Sequence, residues 1–314
     1  MSSESELIPY HAVRAVGQGS ALVLAPHPDD EVLGCAGAIL RHVALGDPVR
    51  VIILTDGGGW QVDEAGREAY AARRRQESRE AAAILGYGKP EFWEYRDREL
   101  QYGEPLVQRL LDAIAAARAR WLYAPSPCEW HPDHRALALA ALEAARRQAG
   151  QIDLALYEIG APLPPNRLLD ITDLVEHKRR ALACFTSQLA VQAYDRHIEA
   201  LNRFRTYTLP REVEAAEAYW VIEGNEATGK LRTLRKTVAD VWRVADALEA
   251  EPLETTHEDR ERELQTRLEG QRAALEAQRA ECARINQEWQ ARYEQVVASR
   301  SWRWTAPLRD VARW

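Results

Sequence analysis

The 314-residue chain reads as an α/β protein, a mainly parallel sheet with helices on both faces, followed by a helical or coiled-coil C-terminal extension. Three observations predict this. Short, continuous apolar runs alternate with longer amphipathic stretches between residues 20 and 224. The connections between them are short, as βαβ units require. After Gly224 the chain becomes polar and rich in helix formers. The expected domains are therefore 1–224 and 225–314.

The elements follow in order. "ALVLAP" (21–26) is a run without polar interruption, as in a strand buried on both faces. Glu31 to Leu45 is helix-like and stops at Gly46. "VRVIIL" (49–54) is a second buried strand, followed by the loop "TDGGGW". Tyr70 to Leu85 is a helix rich in Ala, Arg and Glu that stops at Gly86. Residues 106–119 are an amphipathic helix, 120–125 a strand, Arg135 to Gln148 a helix and 152–159 a strand. In the extension, Leu264, Leu268, Leu275, Cys282, Ile285, Trp289 and Val296 form a rough heptad seam, interrupted by Gln271, Gln278 and Arg292. This seam permits a homo-oligomer, and a solvated helix folding back on its own domain fits the same pattern. The end, "SRSWRWTAPLRDVARW", interleaves arginine with tryptophan, which suits a membrane interface or an acidic partner.

Bulk properties narrow the function classes. Apolar content of 46% and charged content of 28% fit a soluble globular protein. A net charge of −7 argues against a nucleic-acid binder. Cys35, Cys128, Cys184 and Cys282 form no CxxC pair, so free thiols in a reducing compartment are expected rather than a disulfide framework or a thiolate zinc site. The acidic start, "MSSESELIPY", has no signal-peptide character, and no apolar stretch approaches the ~20 residues of a membrane span. The expected location is the cytoplasm, with residues 257–314 available for peripheral contact with the inner membrane face or with a glycosyltransferase complex.

Ligand sites in such sheets lie beyond the carboxyl ends of the strands. Two clusters fall there. "HPDDE" at 27–31 follows the first strand, and "HPDHR" at 131–135 follows the strand at 120–125. Either cluster alone reads as a helix start, with proline in the first turn and aspartate as cap. Together they supply imidazoles and carboxylates to one rim. Two imidazoles and one carboxylate make a catalytic-type zinc site with an open position, and a spare carboxylate beside it can accept a proton. The parts are those of metal-assisted hydrolysis. A nucleotide-binding reading through "DGGG" at 56–59 is disfavoured, because no GxGxxG follows the first strand.

"APHPDDEVLGCAGAI" and "HPDHRA" resemble the two signature motifs of the LmbE/PIG-L family of zinc-dependent de-N-acetylases. "LTDGGG", "RRQESREAAAILG", "DREL", "ITDLVEHKRRALACFTSQL" and "YW" near 220 resemble its weaker segments in the expected order. The resemblance implies a Rossmann-like fold and removal of acetyl groups from N-acetylated sugars or glycoconjugates. It implies His27, Asp30 and His134 as Zn2+ ligands and Asp29 as general base. It makes His131 the group that stabilises the oxyanion or protonates the amine. Asp133 is expected to orient a histidine, Glu31 to brace the motif, and Arg74 and Asp97 to contact the sugar. Two departures stand out: Glu129 where some members carry tyrosine, and Phe185 where histidine is frequent. "SRSWRWTAPLR" resembles an element that ends coiled coils in bacterial surface-polysaccharide enzymes, which favours that setting. Two other readings are an amidase acting on an antibiotic or thiol conjugate, and a scaffold that recruits partners through its C-terminal helix.

Overall fold

The computed structural model describes residues 8–59, 64–148 and 150–224, with residues 276, 280 and 284 besides. The chain divides into Met1–Ala245 and Asp246–Trp314. The expected coiled coil and its tryptophan-rich end lie outside the described residues.

The apolar runs form strands for the reason the sequence suggests. β1 (Ala12–Val13) is a two-residue bridge. β2 (Ala21–Ala25), β3 (Val49–Thr55), β5 (Trp121–Pro125) and β6 (Asp153–Tyr157) are the runs read from sequence. β4 (Glu91–Tyr95), β7 (Arg167–Asp170) and β8 (Ala216–Ile222) complete an eight-stranded sheet in the order β1-β7-β8-β6-β5-β2-β3-β4. Pairing is parallel from β4 through β3, β2 and β5 to β6, and again between β1 and β7. β8 runs antiparallel to both β6 and β7, so the sheet is mixed.

Successive residues of a strand face opposite sides, and the two cores show it. Leu22, Leu24, Ile52, Leu54, Leu122 and Leu154 pack with α3 (Glu104–Ala117) and α4 (Pro132–Arg147). Val23, Ala25, Val51, Ile53, Tyr123 and Ala155 pack on the other face with α1 (Asp30–Leu45), α2 (Glu64–Leu85) and α5 (Val175–Leu182). α6 (Thr186–Leu189) and α7 (Tyr194–Phe204) follow. α1 and α2 end at Gly46 and Gly86, as expected.

α1 carries the first signature motif and lies unusually close to its neighbours. A Cβ on Gly34 would meet the Tyr157 ring at 2.2 Å, and one on Gly37 would meet Ile171 at 2.4 Å and the Glu217 carboxylate at 2.8 Å. Only glycine permits that approach. It lets a buried ion pair reach the helix backbone. Glu217 accepts from the amides of Gly37 and Ala38 and from Lys178 Nζ (2.8 Å), while Lys178 also donates to the Leu33 carbonyl. Tyr219 Oη adds a 2.6 Å bond to Glu217. The pair ties α1, α5 and β8 together.

Removing one partner of a buried pair strands the other charge, at a cost of about 3–5 kcal/mol. Glu217→Leu is therefore expected to destabilise the protein by that amount in urea unfolding. A loss below about 1 kcal/mol would show that the pair does not secure α1.

Candidate metal and active site

β2 and β5 are paired in parallel, Ala21 opposite Trp121 and Val23 opposite Tyr123. Both therefore end at one edge of the sheet, and the turns that follow them carry the two histidine clusters. Three donor atoms converge there. His27 Nδ1 lies 3.2 Å from Asp30 Oδ2 and 3.1 Å from His134 Nε2, and the latter two are 3.2 Å apart. A tetrahedral ion with bonds of roughly 2.0–2.2 Å would space its ligands at about 3.3–3.6 Å. The triangle needs to widen by only a few tenths of an ångström. All three residues are buried.

The donors are neither capping groups nor spare surface charge. Asp29 occupies the N-cap of α1 but makes no side-chain cap bond. Asp30 Oδ2 instead accepts the backbone amide of His27 at 2.9 Å. The helix-cap reading fails for the first cluster and holds in part for the second, where His131 caps α4 by accepting from Asp133 N at 3.3 Å. Burial alone would pull the His27 imidazole down. Hydrogen bonds with Asp133, Asp30 and Asp97 outweigh it and hold the group well above its usual range. Burial would raise Asp30, but the charges of His134 and His27 hold it well below the carboxylate range. The surroundings thus favour positive charge at the centre of the triangle, and the donor set suits a divalent metal ion.

The other faces of the ligand rings are also engaged. His27 Nε2 is 3.1 Å from Asp133 Oδ2, and Asp133 is anchored by the amides of Arg98 (2.7 Å) and Leu100 (3.2 Å). With an ion bound, a carboxylate in this place would hold the ring's hydrogen on Nε2 and turn the Nδ1 lone pair toward the triangle. His134 Nδ1 is buried without a hydrogen-bond partner, 3.7 Å from Glu129 Oε2.

Asp29 sits beside the triangle with φ 129°, a conformation that L-residues rarely adopt. Its backbone amide donates to Glu31 Oε2 at 3.0 Å, so Glu31 braces the turn. Its carboxylate takes a 3.0 Å bond from Arg74 Nη2. Burial pushes Asp29 up to about 7, against the pull of Arg74. Arg74 is itself buried and also donates to the carbonyls of Gly57 (2.9 Å) and Pro28.

His131 is the partly exposed member of the group. Its Nδ1 is occupied as an acceptor, which leaves the hydrogen of the neutral ring on Nε2, 3.6 Å from Asp97 Oδ1. Burial and the neighbouring imidazoles pull it down to about 4. Asp97 accepts from Gly59 N at 3.1 Å, and its own amide donates to Asp56 Oδ1. Asp56 also binds Arg67 in a two-pronged ion pair. The "DGGG" loop therefore supports Asp97 and Arg74. Asp56, at the end of the second strand, is visible in the sequence as a candidate position, whereas Arg67 and the partners of Glu129 carry no such signal. Phe185, where histidine is frequent in the family, is a buried core residue among Ala181 and Leu182.

The family model described as PIG-L, GlcNAc-PI de-N-acetylase, matches residues 22–145, which contain both histidine clusters. A diacetylchitobiose deacetylase from Thermococcus kodakarensis is 30% identical over 204 residues, 60% of this chain and 74% of the relative. A probable N-acetyl-alpha-D-glucosaminyl L-malate deacetylase 2 from Bacillus anthracis is 28% identical over 190 residues, covering 54% of this chain and 82% of the relative. Among solved structures, the N,N'-diacetylchitobiose deacetylase from Pyrococcus horikoshii, complexed with an inhibitor, superposes with a TM-score of 0.57 at 28% identity, covering 67% of this chain and 84% of its own. Fold, motif placement and sequence agree: the chain belongs to the PIG-L/LmbE family of deacetylases.

Proposed function

We propose that this chain is a zinc-dependent hydrolase that removes the acetyl group from the nitrogen of an N-acetylated sugar or glycoconjugate. One observation carries the reading: the triangle of His27 Nδ1, Asp30 Oδ2 and His134 Nε2, with the Asp29 carboxylate pinned beside it by Arg74. A nitrogen-rich set of three protein ligands suits Zn2+ with a position left for water or substrate. When bound, the ion supplies Lewis acidity, polarising the amide carbonyl and making water a nucleophile near neutral pH.

The chain supplies the rest. Asp29 takes the proton of the attacking water at its carboxylate. Arg74 holds that carboxylate in place, so its effect on the sugar passes through Asp29. The Nε2–H of His131 donates to the carbonyl oxygen as it gains negative charge, a task that a neutral imidazole performs without prior protonation. Asp29 then returns its proton to the departing nitrogen as the C–N bond breaks, giving acetate and a free amine. Asp97 Oδ1 lies 3.3 Å from His27 Nε2 and 3.6 Å from His131 Nε2, and its remaining lone pair is assigned to a sugar hydroxyl. The deacetylase names of the relatives support N-acetylglucosamine derivatives as the first substrates to test. The tail element "SWRWTAPLR" supports a role in surface-glycan assembly.

The direct test is acetate release from N-acetylglucosamine, diacetylchitobiose and lipid- or nucleotide-linked N-acetylhexosamines by zinc-reconstituted protein. Asp29→Asn is expected to lower the rate by about 10²–10⁴-fold while zinc uptake is retained. Folded, zinc-loaded protein that releases no acetate from this panel would rule the reading out. Metal binding also has a thermodynamic signature. Zinc at a hundredfold excess over its Kd should add about 2.7 kcal/mol of stability, lost on chelation. His134→Ala should melt at one temperature with or without zinc.

A further inference from the structure

We infer that Glu129 is the positioning residue of His134, the carboxylate that fixes its tautomer and holds its ring on the metal. The inference rests on the zinc-site reading above and adds a residue to it. A histidine that presents Nε2 to the triangle carries its hydrogen on Nδ1. In His134 that atom is buried and has no hydrogen-bond partner among the described residues. A buried donor left unsatisfied costs about 1–3 kcal/mol, so a nearby acceptor is expected. Glu129 Oε2 lies 3.7 Å away. That exceeds an ordinary hydrogen bond by about 0.7 Å, a gap that the two side chains must close between them when the metal is bound.

Glu129 is built for this task. It is buried, like the residues of the triangle. Its Oε1 accepts from the amides of Ile159 (2.7 Å), Gly160 (3.2 Å) and Ala161 (3.3 Å), and Gly160 also reaches Oε2 at 3.1 Å. Three amides from one turn thus fix the carboxylate and leave Oε2 with acceptor capacity on the side of His134. The turn is secured in its own right. Arg205 binds Glu158 through Nε at 2.7 Å and again through Nη2, and Glu158 accepts from Leu163 N. The arrangement mirrors the other histidine ligand. His27 turns Nδ1 to the triangle and Nε2 to Asp133; His134 turns Nε2 to the triangle and Nδ1 to Glu129. Two buried carboxylates held by backbone amides therefore stand behind two imidazoles. The residue that replaces a tyrosine in the family pattern does not substitute for its hydroxyl. It works from behind the metal ligand.

Such outer carboxylates are worth about 10–100-fold in metal affinity. Zinc affinity is measured by competition with a chromophoric chelator for the full-length chain and for Glu129→Gln. The variant is expected to bind one zinc about 10–100-fold more weakly, at unchanged far-UV circular dichroism. Long-range 1H–15N NMR of the zinc-loaded wild type should show the His134 Nδ1–H as a downfield, slowly exchanging resonance that the variant lacks. A merely structural Glu129 would leave that resonance in place. Binding within threefold of wild type with the resonance unchanged overturns this inference alone. A wild type that takes up no zinc overturns the proposed function and this inference together. If Glu129→Gln does not fold, the wild-type spectrum decides: His134 bound to zinc through Nδ1, or an Nδ1–H in fast exchange with water, overturns it.

Discussion

The parallel pairing of β2 with β5 is the constraint on which the rest depends. Ala21, Leu22 and Val23 lie opposite Trp121, Leu122 and Tyr123. Parallel strands in register end at the same edge, so His27 and the 131–134 turn meet although about a hundred residues separate them. Reversing one strand would move its cluster along the sheet by about 17 Å, the length of five strand residues at roughly 3.3 Å each. No side-chain adjustment spans that distance. Register, topology and metal geometry are therefore one requirement. It explains why the central strands are apolar on both faces: they are the scaffold on which two rigid turns must be held within ångströms.

The edge so formed is electrostatically costly. Asp29, Asp30, Asp97, Asp133, Glu31 and Glu129 crowd around three imidazoles, with Arg74 as the guanidinium that binds Asp29. Backbone amides carry much of the offset, at Asp133, Glu129, Asp97 and Asp30. Asp29 adds backbone strain at φ 129°. Unusual backbone of this kind costs on the order of 1–3 kcal/mol and persists only where the surroundings over-determine it. Here they do: α1 is held at Gly34 and Gly37 by close packing, and by the Lys178–Glu217 pair behind it. A buried charge pair away from the chemistry keeps the helix that begins at the chemistry in place.

The central strands were legible because residues buried on both faces leave an uninterrupted apolar run. β4 was not, because "EFWEY" is an edge strand in which only Trp93 is buried. β8 was not, because its second residue is Glu217, a buried carboxylate that breaks the apolar pattern while serving α1. Its antiparallel pairing has no local signature, so the sheet is mainly parallel, as the βαβ rhythm suggests, but mixed at β8. At the site, the two histidine motifs were legible because residue type and strand-end placement coincide. The supports were not. Arg74 reaches Asp29 from α2, and the amides that hold Glu129 come from residues 159–161; both contacts exist only once distant segments have folded together. Sequence showed Glu129 as a departure from a pattern. Its use depends on a turn thirty residues away.

Asp29 and Asp30 show how adjacent, chemically identical residues acquire different tasks. Asp30 begins α1, and its carboxylate turns back to the His27 amide and lies 3.2 Å from His134 Nε2. Positive partners on that side hold it low. Asp29, one residue earlier, has a positive φ that directs its carboxylate to Arg74 instead, and burial raises it toward neutrality. One group is therefore held toward its anionic form, as a ligand must be, while the other can hold or release a proton. Separating two carboxylates in this way is how an enzyme assigns acid–base roles within one site. The separation follows from surroundings: burial acts on Asp29, and two imidazoles act on Asp30.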